Sequence, residues 1–198
     1  MLFLSTHYIL KMFEILRDHI AKIVPFSDQE FDLVASLFSA KSYKKGQFIF
    51  QDGEYLSRNY FVCKGLVKLV YNDSDAREHI VSFAMEDWWE TDFEAFYTQK
   101  KTSMSLICLE DTDVLFITYE DYKQLCNALP KIEHFFLEKA YFGFIAAQKR
   151  ILSALTLNTA ERYRQLIERY PTLIQRVPKS QLAAYLGVSR ETLSRISI

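Results

Sequence analysis

Residues 182–196 read "LAAYLGVSRETLSRI" and carry Arg190, Glu191 and Arg195 at positions that a helix would turn outward. Pro178 presets the first turn of one helix, with Leu182, Ala183 and Leu186 on its inner side. Gly187 supplies a residue that takes a left-handed turn at little cost, and Ser189 is a suitable cap for a second helix holding Leu193 and Ile196 inward. Small Ala183 lets the second helix cross closely, so the spacing predicts a helix-turn-helix. An arginine at the front of such a helix can donate two hydrogen bonds to guanine O6 and N7, and a glutamate can accept from cytosine N4. Hydroxyls and further basic residues suit phosphate contacts, which position a protein without reading sequence.

Charge is divided in the same sense. From Lys149 onward the chain has nine basic and three acidic residues, a local +6. The preceding part has fifteen basic against twenty-two acidic, a local −7, within a total of −1. A basic tail behind an acidic body suggests two tasks, with a polyanion as partner of the tail.

Other chemistry is not legible. Cys63, Cys108 and Cys126 are odd in number, widely spaced and form no C-x-x-C pair, which points to free thiols. His7, His19, His79 and His134 are scattered, so no metal site is expected. Nothing pairs a nucleophile with a base or supplies a glycine-rich phosphate loop, so the chain is not expected to be an enzyme. No apolar run reaches the roughly 18 residues that span a bilayer. The opening "MLFLSTHYILK" lacks a preceding basic residue and a cleavage site, whereas Ile9, Phe13, Leu16, Ile20 and Ile23 follow helical spacing. A soluble, cytoplasmic chain without a membrane partner is the expectation.

The elements that would hold the terminal segment change character twice. Ser27 and Glu30 form a capping box before Phe31, Val34, Leu37 and Phe38. From Lys41 to Thr118 come short β-branched and aromatic runs, "QFIF", "NYFVC", "LVKLVY", "HIVSFAM", "MSLICL" and "VLFIT", parted by "QDGE", "CKG", "NDSD" and "EDTD". Many short strands between turns indicate an antiparallel sandwich or barrel. Thr118, with Glu120 and Asp121 behind it, caps a return to helix. After Pro130 a long helix carries Leu137, Tyr141, Phe144, Gln148, Ile151 and Leu155 as a coiled-coil-like seam, flanked by a second stripe of Phe135, Phe142, Ile145 and Leu152. Such a helix could be buried in its own domain. Two stripes exceed what one neighbour covers, and the expectation is the β body on one and a twin chain on the other.

The string "VSRETLSRI" resembles the recognition helix of the Crp–Fnr family of bacterial transcription regulators, and "KKGQFIFQDGE" and "FVCKGLVKL" resemble that family's glycine-punctuated β-roll strands. The resemblance implies an α+β chain: an N-terminal antiparallel, jelly-roll-like β-roll sensor resembling cyclic-nucleotide-binding domains, with N-terminal helices, over 1–130. A long dimerisation helix would span 131–156 and an all-α helix-turn-helix 157–198. It also implies Arg190, Glu191 and Arg195 as base readers, with Ser189 and Thr192 on phosphates. Double-stranded DNA, a second copy held through the long helix and RNA polymerase would be the partners.

The sequence departs from the family twice. Nucleotide-binding relatives use a glycine–glutamate pair on the ribose and an arginine–serine/threonine pair on the cyclic phosphate. The comparable "EDWWETDFEAFYTQKKTSMSL" has neither glycine nor arginine. Glu90 or Asp92 would fall near the ribose acid, and Lys101, Thr102 and Ser103 near the phosphate pair. Lysine lacks the planar fork of arginine, and Trp88, Trp89, Phe93, Phe96 and Tyr97 could fill the space instead. No cofactor is evident; a cyclic nucleotide, another small effector and none are the three readings, and the departures speak against the first. The family's recognition helix is also usually longer and followed by a β-hairpin wing, whereas this sequence stops at Ile198, so the wing is expected to be absent or truncated. A ligand-sensing or protein-interaction module with a vestigial DNA domain is therefore the alternative to a DNA-binding regulator.

Overall fold

The computed structural model describes residues 5–196. Helices α1 (Thr6–Ala21) and α2 (Asp28–Ser36) come first, the second opened by the capping box in which Ser27 Oγ accepts from Glu30 N while the Glu30 carboxylate accepts from Ser27 N. Eight strands follow: β1 (Ser39–Tyr43), β2 (Phe48–Phe50), β3 (Arg58–Lys64), β4 (Leu66–Asn72), β5 (Glu78–Met85), β6 (Trp89–Glu90), β7 (Ser105–Cys108) and β8 (Thr112–Thr118). Short α3 (Phe93–Thr98) interrupts them. Every pairing is antiparallel, and the strands form two four-stranded sheets of order β1-β8-β3-β6 and β2-β7-β4-β5. The β-rich reading of 41–118 thus holds; β1, the two-residue β6 and α3 carried no signal strong enough to separate them from loops.

The central strands explain the layering. Along β3, Tyr60 and Val62 point between the sheets while Phe61 and Cys63 point outward, and all four are buried. Along β4, Val67 and Leu69 face inward and Leu66 and Val70 outward, again all buried. Successive side chains alternate in direction, so a strand apolar throughout must be covered on both faces. The outer face of the first sheet is covered by α1, α2 and α4 (Tyr119–Ala128), with the start of α5 (Pro130–Thr156). The outer face of the second sheet is covered by α6 (Thr159–Arg169), α7 (Pro171–Arg176), α8 (Lys179–Leu186) and α9 (Arg190–Ser194).

Thr118 caps α4 by accepting from Asp121 N, and Pro130 occupies the first turn of α5 as its sequence suggests. The expectation for the second stripe of α5 needs correction. Ile132 and Phe135 are buried, but Phe142 is 61%, Ile145 41% and Leu152 60% exposed. The helix leaves the β body after its first two turns, so beyond Phe136 both stripes, including Leu137, Tyr141, Phe144, Ile151 and Leu155, stand open on the protomer.

Candidate DNA-binding surface and sensor interior

Helix α8 packs Leu182, Ala183 and Leu186 inward, and Pro178 stands at its N-cap, one residue earlier than the sequence suggested. Gly187 at φ +71° closes α8, its amide donating to Ala183 O and Ala184 O. Ser189 then caps α9, its hydroxyl accepting from Thr192 N at 3.1 Å and lying 3.0 Å from the Thr192 hydroxyl. Leu193 is wholly buried beneath the helix. Arg190, Glu191, Thr192, Ser194 and Arg195 are exposed, Arg195 as the C-cap. The Glu191 carboxyl is held below the usual carboxylate range by a backbone amide and by the Ser189 hydroxyl. At neutral pH it is thus an acceptor beside a guanidinium.

Of the five residues considered for a ligand, Asp92, Lys101 and Ser103 line one small recess, Thr102 is bonded to Asp92, and Glu90 does not line it. Glu90 lies between the sheets, accepting from the Ser82 hydroxyl at 2.6 Å and from Thr91 N at 3.2 Å. Burial pushes its carboxyl up to about 7 against those two bonds. Asp92 and Thr102 are both buried and occupied with each other: Thr102 Oγ1 donates to Asp92 Oδ2 at 2.7 Å, and Asp92 Oδ1 caps α3 by accepting from Ala95 N. Lys101 and Ser103 are exposed, and the Lys101 ammonium lies 5.5 Å from the centre of the Tyr55 ring. Asp92, Lys101 and Ser103 share only a recess of about 120 Å³ beside α3. Inside the roll Tyr43, Phe50, Tyr60, Leu69 and Leu106 are packed together. A cyclic phosphate would need a cationic fork, whereas Lys101 lies over the Tyr55 ring and the Thr102 hydroxyl is spent on Asp92, so these residues do not fit that group. Of the aromatics expected to fill the space, Phe96 is buried, while Phe93 and Tyr97 are exposed. Trp88 and Trp89 diverge, Trp88 meeting Tyr170 of the C-terminal region and Trp89 meeting His19. Among the described residues no group of His, Cys, Asp and Glu could hold a metal ion.

Two basic residues of the tail have a role that sequence reasoning missed. Arg176 forks between Glu86 and Glu110, and Arg150 reaches the carbonyls of Ile80, Val81 and Tyr185. Nothing in the local sequence separates them from the other basic residues of the tail, because their partners are distant in the chain.

Residues 40–128 match the family model of the cyclic nucleotide-binding domain. The chain is similar in sequence to the cyclic AMP receptor protein of Thermus thermophilus, 26% identical over 180 residues that span 85% of this chain and 79% of the relative. The crystal structure of the Thermus thermophilus catabolite activator protein superposes with a TM-score of 0.55 at 25% identity, covering 90% of this chain and 84% of that one. Over most of its length the chain is similar to regulators of the Crp–Fnr kind. A further structure, the c-di-GMP responsive global regulator CLP of Xanthomonas campestris, shares the fold of this chain with a TM-score of 0.71 at 16% identity, over 86% of this chain and 89% of that one. A second relative, the transcriptional regulatory protein btr of Bordetella pertussis, is 24% identical over 165 residues, 77% of this chain and 67% of the relative. No helix among the described residues is long and apolar enough to cross a membrane.

Proposed function

We propose that this chain is a homodimeric, sequence-specific DNA-binding regulator and not an enzyme, acting in the cytoplasm. One observation carries the reading: the Ser189-capped helix buries Leu193 and turns Arg190, Glu191, Thr192 and Arg195 to solvent together. In this reading Arg190, Glu191 and Arg195 meet base edges in the major groove. Ser189 and Thr192 lie against the backbone phosphates. The open apolar seam of α5, with Leu155 78% exposed, is covered by the same helix of a second copy. That pairing holds two recognition helices about 34–36 Å apart, one turn of the duplex. An effector, where one is used, changes DNA affinity only by binding one arrangement of the pair better than the other.

Arg190→Ala is expected to cost about 1–3 kcal/mol of DNA binding and to relax one base position. A mobility-shift series on operators drawn from random-site selection reads both effects. Equal loss on every sequence would remove Arg190 from the base readers. Steep loss of binding between about 50 and 200 mM salt separates the regulator from a ligand-sensing module that merely retains the fold.

A further inference from the structure

We propose that Arg176 and Arg150 are positioning residues: they fix the angle at which the helix-turn-helix sits on the second sheet, so that sensor and recognition helix turn as one body. The inference rests on the regulator reading for its consequence on DNA, but the seat itself stands on geometry.

Apolar packing already joins the two parts. Leu66, Val70, Ile80 and Phe83 of the sheet share one buried cluster with Leu182 and Leu186. Burial of this kind is non-directional and would tolerate sliding or rotation of one surface on the other. Directional bonds at the edge of the patch remove that freedom. Arg176 donates from Nε to Glu110 Oε1 at 3.0 Å, from Nη1 to Glu86 Oε2 at 2.6 Å, and from Nη2 to Glu86 Oε1 at 3.0 Å and Glu110 Oε2 at 2.7 Å. The planar guanidinium meets both carboxylates bidentately, which specifies direction as well as distance.

The acceptors are themselves held. Glu86 Oε1 also accepts from Gly65 N at 2.8 Å, so the β3–β4 turn, the residue after β5 and the β7–β8 turn converge on one guanidinium. Gly65 sits at φ +105°, where a Cβ would lie 2.5 Å from Thr112 Oγ1 and 2.7 Å from the Asp111 carbonyl oxygen. Only glycine lets these turns approach so closely. Burial raises the Glu86 carboxyl, but the bonds from Arg176 and Gly65 outweigh it and leave it below the usual range.

Arg150 supplies the second anchor. It projects from α5, donates to the carbonyls of Val81, Ile80 (3.2 Å) and Tyr185 (3.4 Å), and lays its guanidinium 4.1 Å from the centre of the Tyr185 ring. One side chain therefore ties α5, β5 and α8. Two anchors at separate points define an angle where one would leave a pivot.

The test uses the full chain, with spin labels on Asp75→Cys and Ser194→Cys in a Cys126→Ser background, diluted into excess unlabelled chain so that one protomer of a pair carries both labels, and duplexes whose half-sites are moved apart base pair by base pair. Wild type is expected to give one narrow distance and a sharp spacing preference. Arg176→Lys, which keeps the charge and loses the fork, and the Glu86→Gln/Glu110→Gln pair should broaden the distance. They should also reduce the spacing preference by roughly tenfold, the weight of one charge-assisted hydrogen bond, with base preferences unchanged. Arg150→Lys should do the same. Equal loss at every spacing with a shallower salt dependence would make Arg176 a phosphate contact and overturn the proposal. If wild type binds no duplex, the regulator reading fails, and the distances alone decide: unchanged widths in the variants overturn the seat, broadened ones uphold it.

Discussion

The two sheets of the roll are alike in being apolar on both faces, yet their outer faces are covered by unlike things. Over the first sheet lies a dry aromatic patch. His19 of α1 is 3% exposed, packed on Phe61 and Phe135, and accepts on Nε2 from the Trp89 indole at 3.2 Å. Its Nδ1 is buried without a hydrogen-bond partner, 3.9 Å from Asp87 Oδ1, and burial pushes the ring down to about 4. Over the second sheet the apolar patch is of the same kind, but its edge is stapled by arginines to carboxylates and carbonyls. The first flank is a seal made mainly of rings, with Tyr8 donating to Asp113 and Lys22 to Asp87 at its edges. The second is a joint whose angle matters, and angle is what charge-assisted bonds can specify.

The largest expected effect tests whether the joint stays shut. Phe61→Ala, under the first sheet, should cost about 3–5 kcal/mol in denaturant unfolding, and Phe83→Ala, under the second, should cost about as much. A much smaller loss for Phe83→Ala, with a separate early transition, would mean that the helix-turn-helix lifts off and that the two flanks differ in permanence.

Between the flanks sits Glu90. Its folded-state value, about 7, lies above the ordinary 4.5, so its contribution is full below 4.5 and is lost as pH rises through 7. His19 acts oppositely: its contribution is present above 6.5 and lost as pH falls through about 4. Glu90→Gln should therefore gain on wild type by about 3 kcal/mol between pH 4 and pH 8. Thermal unfolding across that range reads it, and parallel curves for the two proteins would show that Glu90 is not strained in its charged form.

Gly65→Ala should cost about 1–3 kcal/mol through backbone strain alone and should also loosen the Arg176 seat. Thermal unfolding measures the first and the label distance the second. A neutral result would mean that the three turns rearrange freely.

The smallest effect reads the first flank alone, because each flank holds one tryptophan. Trp89 lies against His19, and Trp88 lies 5.3 Å from Tyr170, ring centre to ring centre. On acidification the folded protein's His19 takes its proton near 4 and ceases to accept from the Trp89 indole. In a chain whose one tryptophan is Trp89 (Trp88→Phe) the emission should shift as pH falls through about 4. An emission unchanged over that range would mean that His19 does not titrate against the indole.

Much of this could be read before folding. The caps at Ser27, Thr118 and Ser189, the turn at Gly187 and the long helix from Pro130 are local matters, set by hydrogen bonds within four residues and by the freedom of one glycine. The β-branched and aromatic runs "NYFVC" and "LVKLVY" likewise announce strands. What covers their faces is a long-range matter. Asp92 and Thr102 carry ligand-like chemistry in the sequence and spend it on each other, and Arg176 counts as free tail charge until Glu86 and Glu110, 90 and 66 residues away, close around it. Sequence by itself determined most of the elements and the outward chemistry of 189–195. Only tertiary structure decided which cationic groups stand in solvent and which face the body, because a guanidinium takes its role from the carboxylates that packing brings within 3 Å.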